Sequence, residues 1–560
     1  MLQQIRPQII FHNPSTQHIK QHVKHKVTAS GICFTDLREQ IEDLDTLPRI
    51  DRSLIDYQRY HQFIGQSGIR NCMTVQGGRG CPYRCFYCDV QKLTPNLYRR
   101  TSENIYAEVE HLASLGVRDI EFVDDIFNIN KKEFINFFQM VKANRLNMNF
   151  YFQSGLRGDA LDAAAADAMV EGGVKSVNIS LESASPRLQK MMKKYLNIDK
   201  FLRNLQYIAT QYPHVVLGLN AMHGFPTETE EEARATVDFI KDIKWLHFVG
   251  FHNVRIFPGS LLEKVALENG VTPEQINESL TIPYHLMPTT MHFDPAFSMK
   301  LRLDLVRNYV LNKDRLKYII QKQLATFNEE ELIFKYQSYF PSQINTMDDI
   351  LRLAKIDRSE IDFSVQPSPN PSQIDYTAMR GLPVEKKPDA LNVLYLDATQ
   401  FYSKDDNAEL KIVEAPLGML ALQSYVDREF GDKVNGKIIK SYVDFDSDDA
   451  LKAILADFKP HLICVRTMSY YKNFFVSVIK AVREFDTQVP IIAGGPHPTI
   501  AAEDVLNHND IQAVCIGEGE LTLAELIKLM LERDKQFPAA DTLKDVKGLA
   551  FPWPQAQLTH

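Results

Sequence analysis

The sequence predicts an α/β protein with two arrays of strands and helices: a partial six-unit β/α barrel, then a five-stranded, doubly wound, Rossmann-like domain. Two observations predict this class. Residues 71–270 and residues 391–536 each alternate short β-type runs with segments of helical period, and a helical stretch with a Pro-rich segment separates them. Strand–helix alternation implies parallel sheets with right-handed crossovers, whose ligands bind at the carboxyl ends of the strands.

The first array supplies six candidate strands with amphipathic segments between them. Two of the helix candidates open with Ser or Thr and carry Glu in the first turn, which is a helix-start signal. The strand candidates are Cys72–Gln76, Asp119–Val123, Asn149–Gln153, Ser176–Leu181, Val215–Met222 and Phe248–Phe257. The helix candidates are Ser102–Leu115, Lys131–Asn144 and Thr229–Ile243.

The second array repeats the strand-and-helix unit five times in ~145 residues, as an open doubly wound sheet does. We therefore expect six units along the chain. They are an N-terminal extension and lead-in (1–69), the barrel (70–297), a helical insert (298–362), a linker (363–390), the doubly wound domain (391–536) and a C-terminal tail (537–560).

Composition excludes several classes of protein. Hydrophobic residues make up 44% and charged residues 24% of the chain, which is ordinary globular usage. A net charge of −8 gives no basic surplus, so no nucleic-acid partner is expected. No stretch has the ~18 uncharged apolar residues of a membrane span, and the start does not read as a secretory signal. Seven cysteines are too few for a disulfide scaffold, so we expect a soluble cytoplasmic protein.

Three of the cysteines lie together on a Gly-rich loop after the first strand. Cys81, Cys85 and Cys88 have CxxxCxxC spacing, and glycines before them permit the tight turns that let three thiolates converge. Iron–sulfur clusters normally take four thiolates, so three would leave one iron open. The pattern predicts a cluster that binds a further ligand.

Three alternatives fit the loop less well. Zinc needs a fourth Cys or His, and none is evident nearby. Buried apolar cysteines would follow a strand or helix period, which the intervening Pro, Arg and Tyr residues break. A redox CxxC pair leaves the third cysteine unexplained.

This loop resembles that of the radical S-adenosylmethionine (SAM) superfamily, which has CxxxCxxC with an aromatic residue before the last Cys. The resemblance implies a 4Fe–4S cluster held by Cys81, Cys85 and Cys88, whose open iron is chelated by SAM. In that family, an electron from the cluster cleaves SAM to methionine and a 5′-deoxyadenosyl radical. By the same resemblance, Tyr87 lies against the adenine.

Segments further along the chain resemble the cobalamin-binding radical SAM subfamily. They include IEFVDDIFNIN, SGLRGD, VNISLESAS, HGFPTETEEE and RIFPGSLL, each at a predicted strand end. The resemblance implies SAM-binding roles for Asp124, Asp125, Arg157, Glu182 and Gly224. For the two aspartates, helix capping is an open alternative. No acid or base is singled out as catalytic.

The second array resembles the subfamily's cobalamin-binding domain in two Gly-rich turns, each between a β run and a helix. Glycines at such crossovers let the backbone approach a ligand at the sheet's carboxyl edge. Either turn alone could be a plain tight turn. The candidate cobalamin-binding residues are Thr467, Met468, Ser469, Gly494, Gly495, Gly517, Glu518 and Gly519.

The second array departs from the subfamily in two ways. It has no Asp-x-His-x-x-Gly signature for a lower axial His, and His497 fits the turn better than the cobalt. The cobalamin domain also follows the barrel instead of preceding it, as in a circular permutation. We then expect the segment after Gly548 to run close to Asp43–Arg52, and the helical insert to pass as a strap beside the interdomain cleft.

The resemblance implies a cobalamin-dependent radical SAM enzyme, foremost a methyltransferase at an unactivated carbon. The alternative is a radical rearrangement or cyclisation without methyl transfer, and a further one is a non-catalytic cluster- or cobalamin-binding sensor. The implied cofactors are a 4Fe–4S cluster, SAM and cobalamin. The implied partners are a small-molecule, lipid or peptide substrate and a reductant such as flavodoxin or ferredoxin.

Overall fold

A computed structural model describes residues 25–280, 293–339, 343–365, 367, 372–379, 387–404 and 412–554. Parts of the predicted N-terminal extension, linker and tail therefore lie outside the described residues. The predicted α/β class is confirmed: parallel strands alternate with helices in both halves of the chain.

The described chain contains sixteen strands, two of which form a small hairpin of their own. In chain order they are β1 His25–Val27, β2 Ile32–Thr35, β3 Met73–Val75, β4 Gly78–Arg79, β5 Tyr98–Arg99, β6 Asp119–Phe122, β7 Asn149–Leu156, β8 Val174–Glu182, β9 Val216–His223, β10 Phe248–Asn253, β11 Leu391–Asp397, β12 Val434–Lys440, β13 Leu462–Arg466, β14 Ile491–Gly494, β15 Ala513–Cys515 and β16 Leu549–Pro552.

Twenty-two α-helices accompany these strands in the described ranges. They are α1 Tyr57–Tyr60, α2 Val90–Leu93, α3 Ser102–Ser114, α4 Lys131–Ala143, α5 Ala163–Glu171, α6 Pro186–Met191, α7 Ile198–Gln211, α8 Glu230–Asp242, α9 Leu261–Glu268, α10 Pro273–Ser279, α11 Pro295–Leu305, α12 Lys313–Gln323, α13 Glu329–Gln337, α14 Met347–Leu353, α15 Tyr376–Met379, α16 Leu417–Phe430, α17 Asp448–Phe458, α18 Lys472–Phe485, α19 Pro496–Ile500, α20 Ala502–His508, α21 Glu520–Leu531 and α22 Ala540–Leu543.

The first sheet is an open, all-parallel barrel of six strands in the order β10-β9-β8-β7-β6-β3. Its outer face packs on the helices through aromatic residues such as Phe122, whose ring lies 5.5 Å from Phe137 at a right angle. Alternate residues face the interior, so polar side chains such as Gln153 and Asn178 meet there, 3.1 Å apart. Strands β3 and β10 are the two edges, which leaves one side of the barrel open.

The helical insert closes the amino-terminal end of the barrel, and this corrects the expected strap beside the interdomain cleft. Helices α12, α13 and α14 share a hydrophobic cluster with Tyr151, Val216 and Phe248, which lie near the starts of their strands. The phenol of Tyr339 donates to the carbonyl of Val249 (3.0 Å) and accepts its N–H (2.8 Å). The apolar faces of these helices need burial, and the strand starts supply it.

The second sheet has eight strands, in the order β1-β2-β16-β15-β14-β13-β11-β12. The five predicted strands form its parallel part. The other three are antiparallel and were not predicted: β16 lies between β15 and β2, and β1 pairs with β2. The predicted extension and tail thus share a sheet with the predicted cobalamin-binding domain, whereas the other domain boundaries stay predictions.

The C-terminal segment runs beside Ile32–Glu39, a few residues earlier than the predicted Asp43–Arg52. Gly548 donates its N–H to the carbonyl of Asp36 at 2.8 Å. The Asp43–Arg52 segment instead contacts α16, where the hydroxyl of Ser424 accepts the N–H of Asp51 at 2.8 Å. The contact predicted for the C-terminal segment therefore falls on Ile32–Glu39 and not on Asp43–Arg52.

None of the helices in the described ranges has the length and apolar character needed to cross a lipid bilayer.

Candidate functional site

The cysteine loop leaves β3 and folds back as the β4–β5 hairpin before α2. Gly80 precedes the first cysteine with φ +83°, and a Cβ there would lie 2.1 Å from the carbonyl oxygen of Asn96. Only glycine fits such a position, because both the left-handed conformation and the contact exclude a side chain. The predicted tight turn therefore has a steric basis.

Asp124 and Asp125, predicted to bind SAM, hold this loop by its backbone. The Asp124 carboxylate accepts the N–H of Gly77 at 2.9 Å, and Asp125 accepts that of Gly80 at 3.0 Å. Burial raises the pKa of Asp124 to about 7. The capping residue of α4 is Asn130, so neither aspartate caps that helix.

Cys81, Cys85 and Cys88 are free thiols on the loop. Burial raises the pKa of all three, that of Cys88 to about 12, and the charges of Cys81 and Cys85 also raise the pKa of Cys88. In the described residues no three His, Cys, Asp or Glu side chains already converge on a metal position. Three neighbouring thiols are nevertheless the donor set that iron–sulfur clusters use, so the residues fit the predicted cluster.

Tyr87 and Glu182, both predicted to bind SAM, meet in the structure. The Tyr87 hydroxyl donates to the Glu182 carboxylate at 3.2 Å, and Lys194 Nζ lies 2.6 Å from the same oxygen. Glu182 has φ +67° at a register shift between β8 and β9. A non-glycine residue held in the left-handed region costs about 1–3 kcal/mol, and such strain clusters at functional sites.

Arg157 also contacts the loop, and Gly224 directly precedes a residue that does. The Arg157 guanidinium lies 4.1 Å from the ring centre of Tyr83, and it forms an ion pair with Asp159 at 2.8 Å. Gly224 donates its N–H to Glu228 at 2.6 Å. The next residue, Phe225, stacks on Phe86 with 6.0 Å between ring centres. All six predicted SAM-binding residues are thus arranged around the cysteine loop, although their role toward SAM stays a prediction.

A cavity of about 1260 Å³ lies between the open side of the barrel and the carboxyl edge of the second sheet. Arg79, Asp125 and Arg255 line it from the barrel. The predicted cobalamin-binding residues that line it are Met468, Ser469, Gly494, Gly495, Gly517, Glu518 and Gly519. Thr467 is fully buried beside them, and its hydroxyl donates to the carbonyl of Ala398 at 3.4 Å.

Three glycines leave open space in the wall of this cavity. A Cβ on Gly418, Gly494 or Gly517 would have no heavy atom nearer than 3.7 Å. The cavity continues over the face of the second sheet, where Cys464, Ile492, Cys515, Leu526 and Leu549 form an apolar wall. Ligand pockets for drug-sized molecules have about 300–1,000 Å³, so this one suits a larger cofactor. The residues present therefore fit cobalamin.

Buried charges that were not predicted stand at the carboxyl edge of the second sheet. Asp397 at the end of β11 lies 3.1 Å from Arg466 and 3.4 Å from Lys440, and these cations lower its pKa against the effect of burial. Lys440 also donates to the hydroxyl of Thr399 at 2.8 Å. The sequence does carry a signal for this cluster, because three of the strands end in a charged residue: Asp397, Lys440 and Arg466.

Two contacts join the barrel to the second sheet across the cavity, and neither was predicted. Arg79 pairs with Glu520 at 2.6 Å and lies 3.6 Å from Glu518. Arg255 lies over the ring of Tyr470, 5.2 Å from its centre. Each contact depends on how the two units pack, which the sequence does not reveal.

His497 is the second residue of α19, directly after the Gly-rich turn to which it was assigned. It is 4% exposed, and its Nδ1 lies 3.3 Å from the Ser469 hydroxyl. Burial lowers its pKa to about 4. It does not line the cavity.

Curated relatives cover only part of this chain. A protein of Pyrococcus horikoshii named uncharacterized methyltransferase PH0819 is 28% identical over 238 residues, which are 42% of this chain and 49% of that relative. The tRNA-2-methylthio-N(6)-dimethylallyladenosine synthase of Protochlamydia amoebophila is 27% identical over 175 residues, which are 30% of this chain and 39% of that relative. The chain thus spans about half, or less, of these relatives' lengths.

Solved structures give weaker likenesses. The radical SAM methyltransferase TsrM of Kitasatospora setae, with tryptophan and a SAM analogue bound, aligns with a TM-score of 0.32 and 21% identity over 38% of this chain and 40% of that one. The cobalamin-dependent radical SAM enzyme OxsB aligns with a TM-score of 0.33 and 12% identity, over 55% and 52%.

Two family profiles match the chain directly. The profile of the radical SAM superfamily matches residues 75–240, which include the cysteine loop and most of the barrel. The profile of the B12 binding domain matches residues 404–527, which include both Gly-rich turns. The chain therefore contains a radical SAM domain followed by a B12-binding domain.

Proposed function

We propose that this protein is a cobalamin-dependent radical SAM enzyme, a methyltransferase that acts at an unactivated carbon. One observation carries the proposal. A single cavity is lined both by Asp125, which holds the cysteine loop, and by the Gly-rich turns of the second sheet. Groups bound at these two places can therefore reach one substrate, as a short-lived radical intermediate requires.

The residues around the loop would hold the cluster and SAM. Cys81, Cys85 and Cys88 would ligate a 4Fe–4S cluster. Tyr87, Glu182 and Arg157 would contact SAM together with Asp124, Asp125 and Gly224. When bound, these groups supply one-electron cleavage of SAM, and cobalamin supplies a transferable methyl group.

The chain's own residues prepare the site for that chemistry. Asp124 and Asp125 fix the loop by accepting its N–H groups. Lys194 holds the Glu182 carboxylate at 2.6 Å, so this buried charge is paired before any ligand arrives. Residues of the second sheet line the cavity at the open side of the barrel, where they would limit the access of water to the reacting groups.

Partners and location follow from the same proposal. We propose a cytoplasmic enzyme with a small-molecule, lipid or peptide substrate. Its electrons would come from a flavodoxin or a ferredoxin, because cleavage of SAM needs one electron.

The test is anaerobic reconstitution of the full chain with iron, sulfide and cobalamin, followed by reductant and SAM. We expect the absorbance of a 4Fe–4S cluster and the formation of 5′-deoxyadenosine. Each of Cys81→Ala, Cys85→Ala and Cys88→Ala should abolish both. Cys33→Ala, at a fully buried cysteine of β2, is the matched control and should keep both.

Product analysis separates the possible outcomes. S-adenosylhomocysteine beside 5′-deoxyadenosine supports methyl transfer. 5′-Deoxyadenosine alone, with substrate present, indicates rearrangement or cyclisation. Full activity in any of the three loop variants contradicts the radical SAM proposal.

A further inference from the structure

We propose that the surface around the cysteine loop is a docking site for an acidic one-electron carrier protein. This inference rests on the proposed function, since only a redox cluster in the loop gives a carrier reason to bind there. The carrier would lose one electron and the cluster would gain it, with no exchange of atoms.

Two exposed apolar side chains flank the loop. Phe86, between the second and third cysteines, donates its N–H to the carbonyl of Met192 and accepts the N–H of Leu262. Beside these partners stand Tyr195 and Leu261, which are 64% and 54% exposed. Large apolar side chains exposed to this degree are few in the described chain, so finding one on each side of the loop indicates a contact surface.

The turn that presents Tyr195 is held in an unusual conformation. Lys193 has φ +56° and Tyr195 has φ +50°, in the left-handed region that non-glycine residues avoid. The Arg157 guanidinium donates to the carbonyls of Lys194 (3.0 Å) and Tyr195 (2.9 Å) while it lies over Tyr83 of the cysteine loop. One side chain therefore ties the turn to the loop, and the aromatic ring is kept outward at a conformational cost.

Three exposed positive charges lie on the loop and on the segment just before Tyr195. Arg84, Lys190 and Lys193 are exposed, and none has an acidic partner within 4.0 Å in the described part of the chain. Two neighbouring carboxylates are already paired with cations. Glu232 pairs with Arg187 at 2.6 Å, and Glu182 pairs with Lys194.

The charge of the whole molecule makes this surface distinctive. The chain carries a formal charge of −8, so an acidic carrier is repelled by the molecule in general and attracted at this surface. Charge complementarity of this kind raises association rates and sets orientation. The orientation here would bring the carrier's redox group next to Cys81–Cys88.

The test compares two electron donors on the reconstituted full chain. One donor is an acidic flavodoxin reduced enzymatically, and the other is titanium(III) citrate, which needs no docking site. The variants are Lys190→Glu/Lys193→Glu and Tyr195→Ala. The control is Lys355→Glu/Lys480→Glu, which reverses two exposed lysines of the helical insert and the second sheet's outer helices.

We expect the double reversal to slow flavodoxin-driven cleavage of SAM by about tenfold or more at low salt. Titanium-driven cleavage should be unchanged, and so should both rates in the control. Binding of flavodoxin to the immobilised chain should weaken by a similar factor and lose its salt dependence. Tyr195→Ala should weaken binding without changing the salt dependence.

Other results overturn the inference. If the rate of SAM cleavage falls equally with both donors, the lysines act on the cluster or on SAM and not on a carrier. If the double reversal slows SAM cleavage with neither donor, the docking site lies elsewhere. If titanium reduces the wild-type chain but flavodoxin neither binds nor reduces it, the carrier belongs to another class. Absence of SAM cleavage with titanium in the wild type would instead contradict the proposed function itself.

Discussion

At the scale of single residues, Gly418 stands in the first turn of α16, where nearly any other residue would favour the helix more. A Cβ there would meet nothing nearer than Arg466 Nε at 3.9 Å, in the wall of the cavity. Packing therefore does not require the glycine. We infer that the space above it is kept for a ligand.

Gly418→Leu should weaken cobalamin binding by about tenfold or more, because the side chain fills space that the cofactor needs. Gly418→Ala should keep binding and gain up to ~1 kcal/mol of stability from its higher helix propensity. Cobalamin absorbance after equilibrium dialysis measures the first effect, and thermal denaturation measures the second. Equal binding by the leucine and alanine variants would show that the cofactor lies elsewhere.

The raised pKa of the Asp124 carboxyl predicts that the stability of the protein depends on pH. Burial raises its pKa in the folded chain to about 7, above its ordinary value of 3.8. The folded state therefore binds a proton that the unfolded state has released, and this contribution to stability is lost as pH rises through about 7.

The free energy of unfolding should fall by up to ~1.4 kcal/mol per pH unit between about pH 5 and pH 6.5 from this group alone. Asp124→Asn keeps an acceptor for the N–H of Gly77 and should remove that slope. Urea denaturation of both proteins across this range is the measurement. Parallel curves for the two proteins would refute the assignment.

At the scale of elements, the β4–β5 hairpin and the start of α21 are joined by Arg79 and Glu520. Their side chains are only 15% and 6% exposed, so the pair is nearly removed from water. Removing one partner of a buried pair leaves an uncompensated charge and typically costs about 3–5 kcal/mol. The hairpin carries the cysteine loop, so this pair also sets the loop's position against the second sheet.

Arg79→Met should destabilise the protein by about 3 kcal/mol, and Arg79→Met/Glu520→Gln should recover part of the loss. The exposed pair Arg358 and Glu329, with side chains 44% and 42% exposed, is the matched control. Removing this exposed pair should lower the free energy of unfolding by less than about 1 kcal/mol. Urea denaturation of the wild type, and of both single variants and the double variant of each pair, gives the two coupling energies. Similar values for the two pairs would contradict a structural role for Arg79.

The elements of the barrel were predictable because their signals are local. Val216–His223 is a mostly apolar run, and Asp119–Phe122 alternates charged and apolar residues between two helices. The structure places both strands within one residue of the predicted bounds. The pair of Arg79 and Glu520 was not predictable, because neither residue has a local reason to seek the other. Gly418 was visible as an unfavourable residue inside a helix, but only the structure shows the space beside it.

At the scale of the whole molecule, β16 ties the two ends of the described chain into one sheet. Ala550 pairs with Val514 on one side and Phe34 on the other. His25 stacks on Trp553 with 5.5 Å between ring centres. Strands β1, β2 and β16 were not predicted, because three or four residues are too few to show an alternating pattern and their partners are remote in sequence.

Ala550→Pro should disrupt this junction, since proline cannot donate a hydrogen bond to the sheet and costs about 3 kcal/mol in such a place. Hydrogen–deuterium exchange should rise in Ile32–Thr35 as well as in Ala513–Cys515. Loss of protection confined to the substituted strand would argue against a shared sheet.

The matched control is the same substitution at Ala539, an exposed residue that precedes α22. Its φ of −70° is one that proline adopts without strain. Ala539→Pro should therefore leave Ile32–Thr35 and Ala513–Cys515 protected.

The same junction has a consequence for synthesis on the ribosome. Thr35 donates its hydroxyl proton to the carbonyl of Leu549, 514 positions later. At about 5–20 residues per second, the β1–β2 hairpin waits roughly 25–100 seconds for its partner. An isolated two-stranded hairpin is barely stable, and its unpaired edge can join another nascent chain. Chaperone supply and translation speed should therefore limit the yield of this protein more than the stability of its finished fold does.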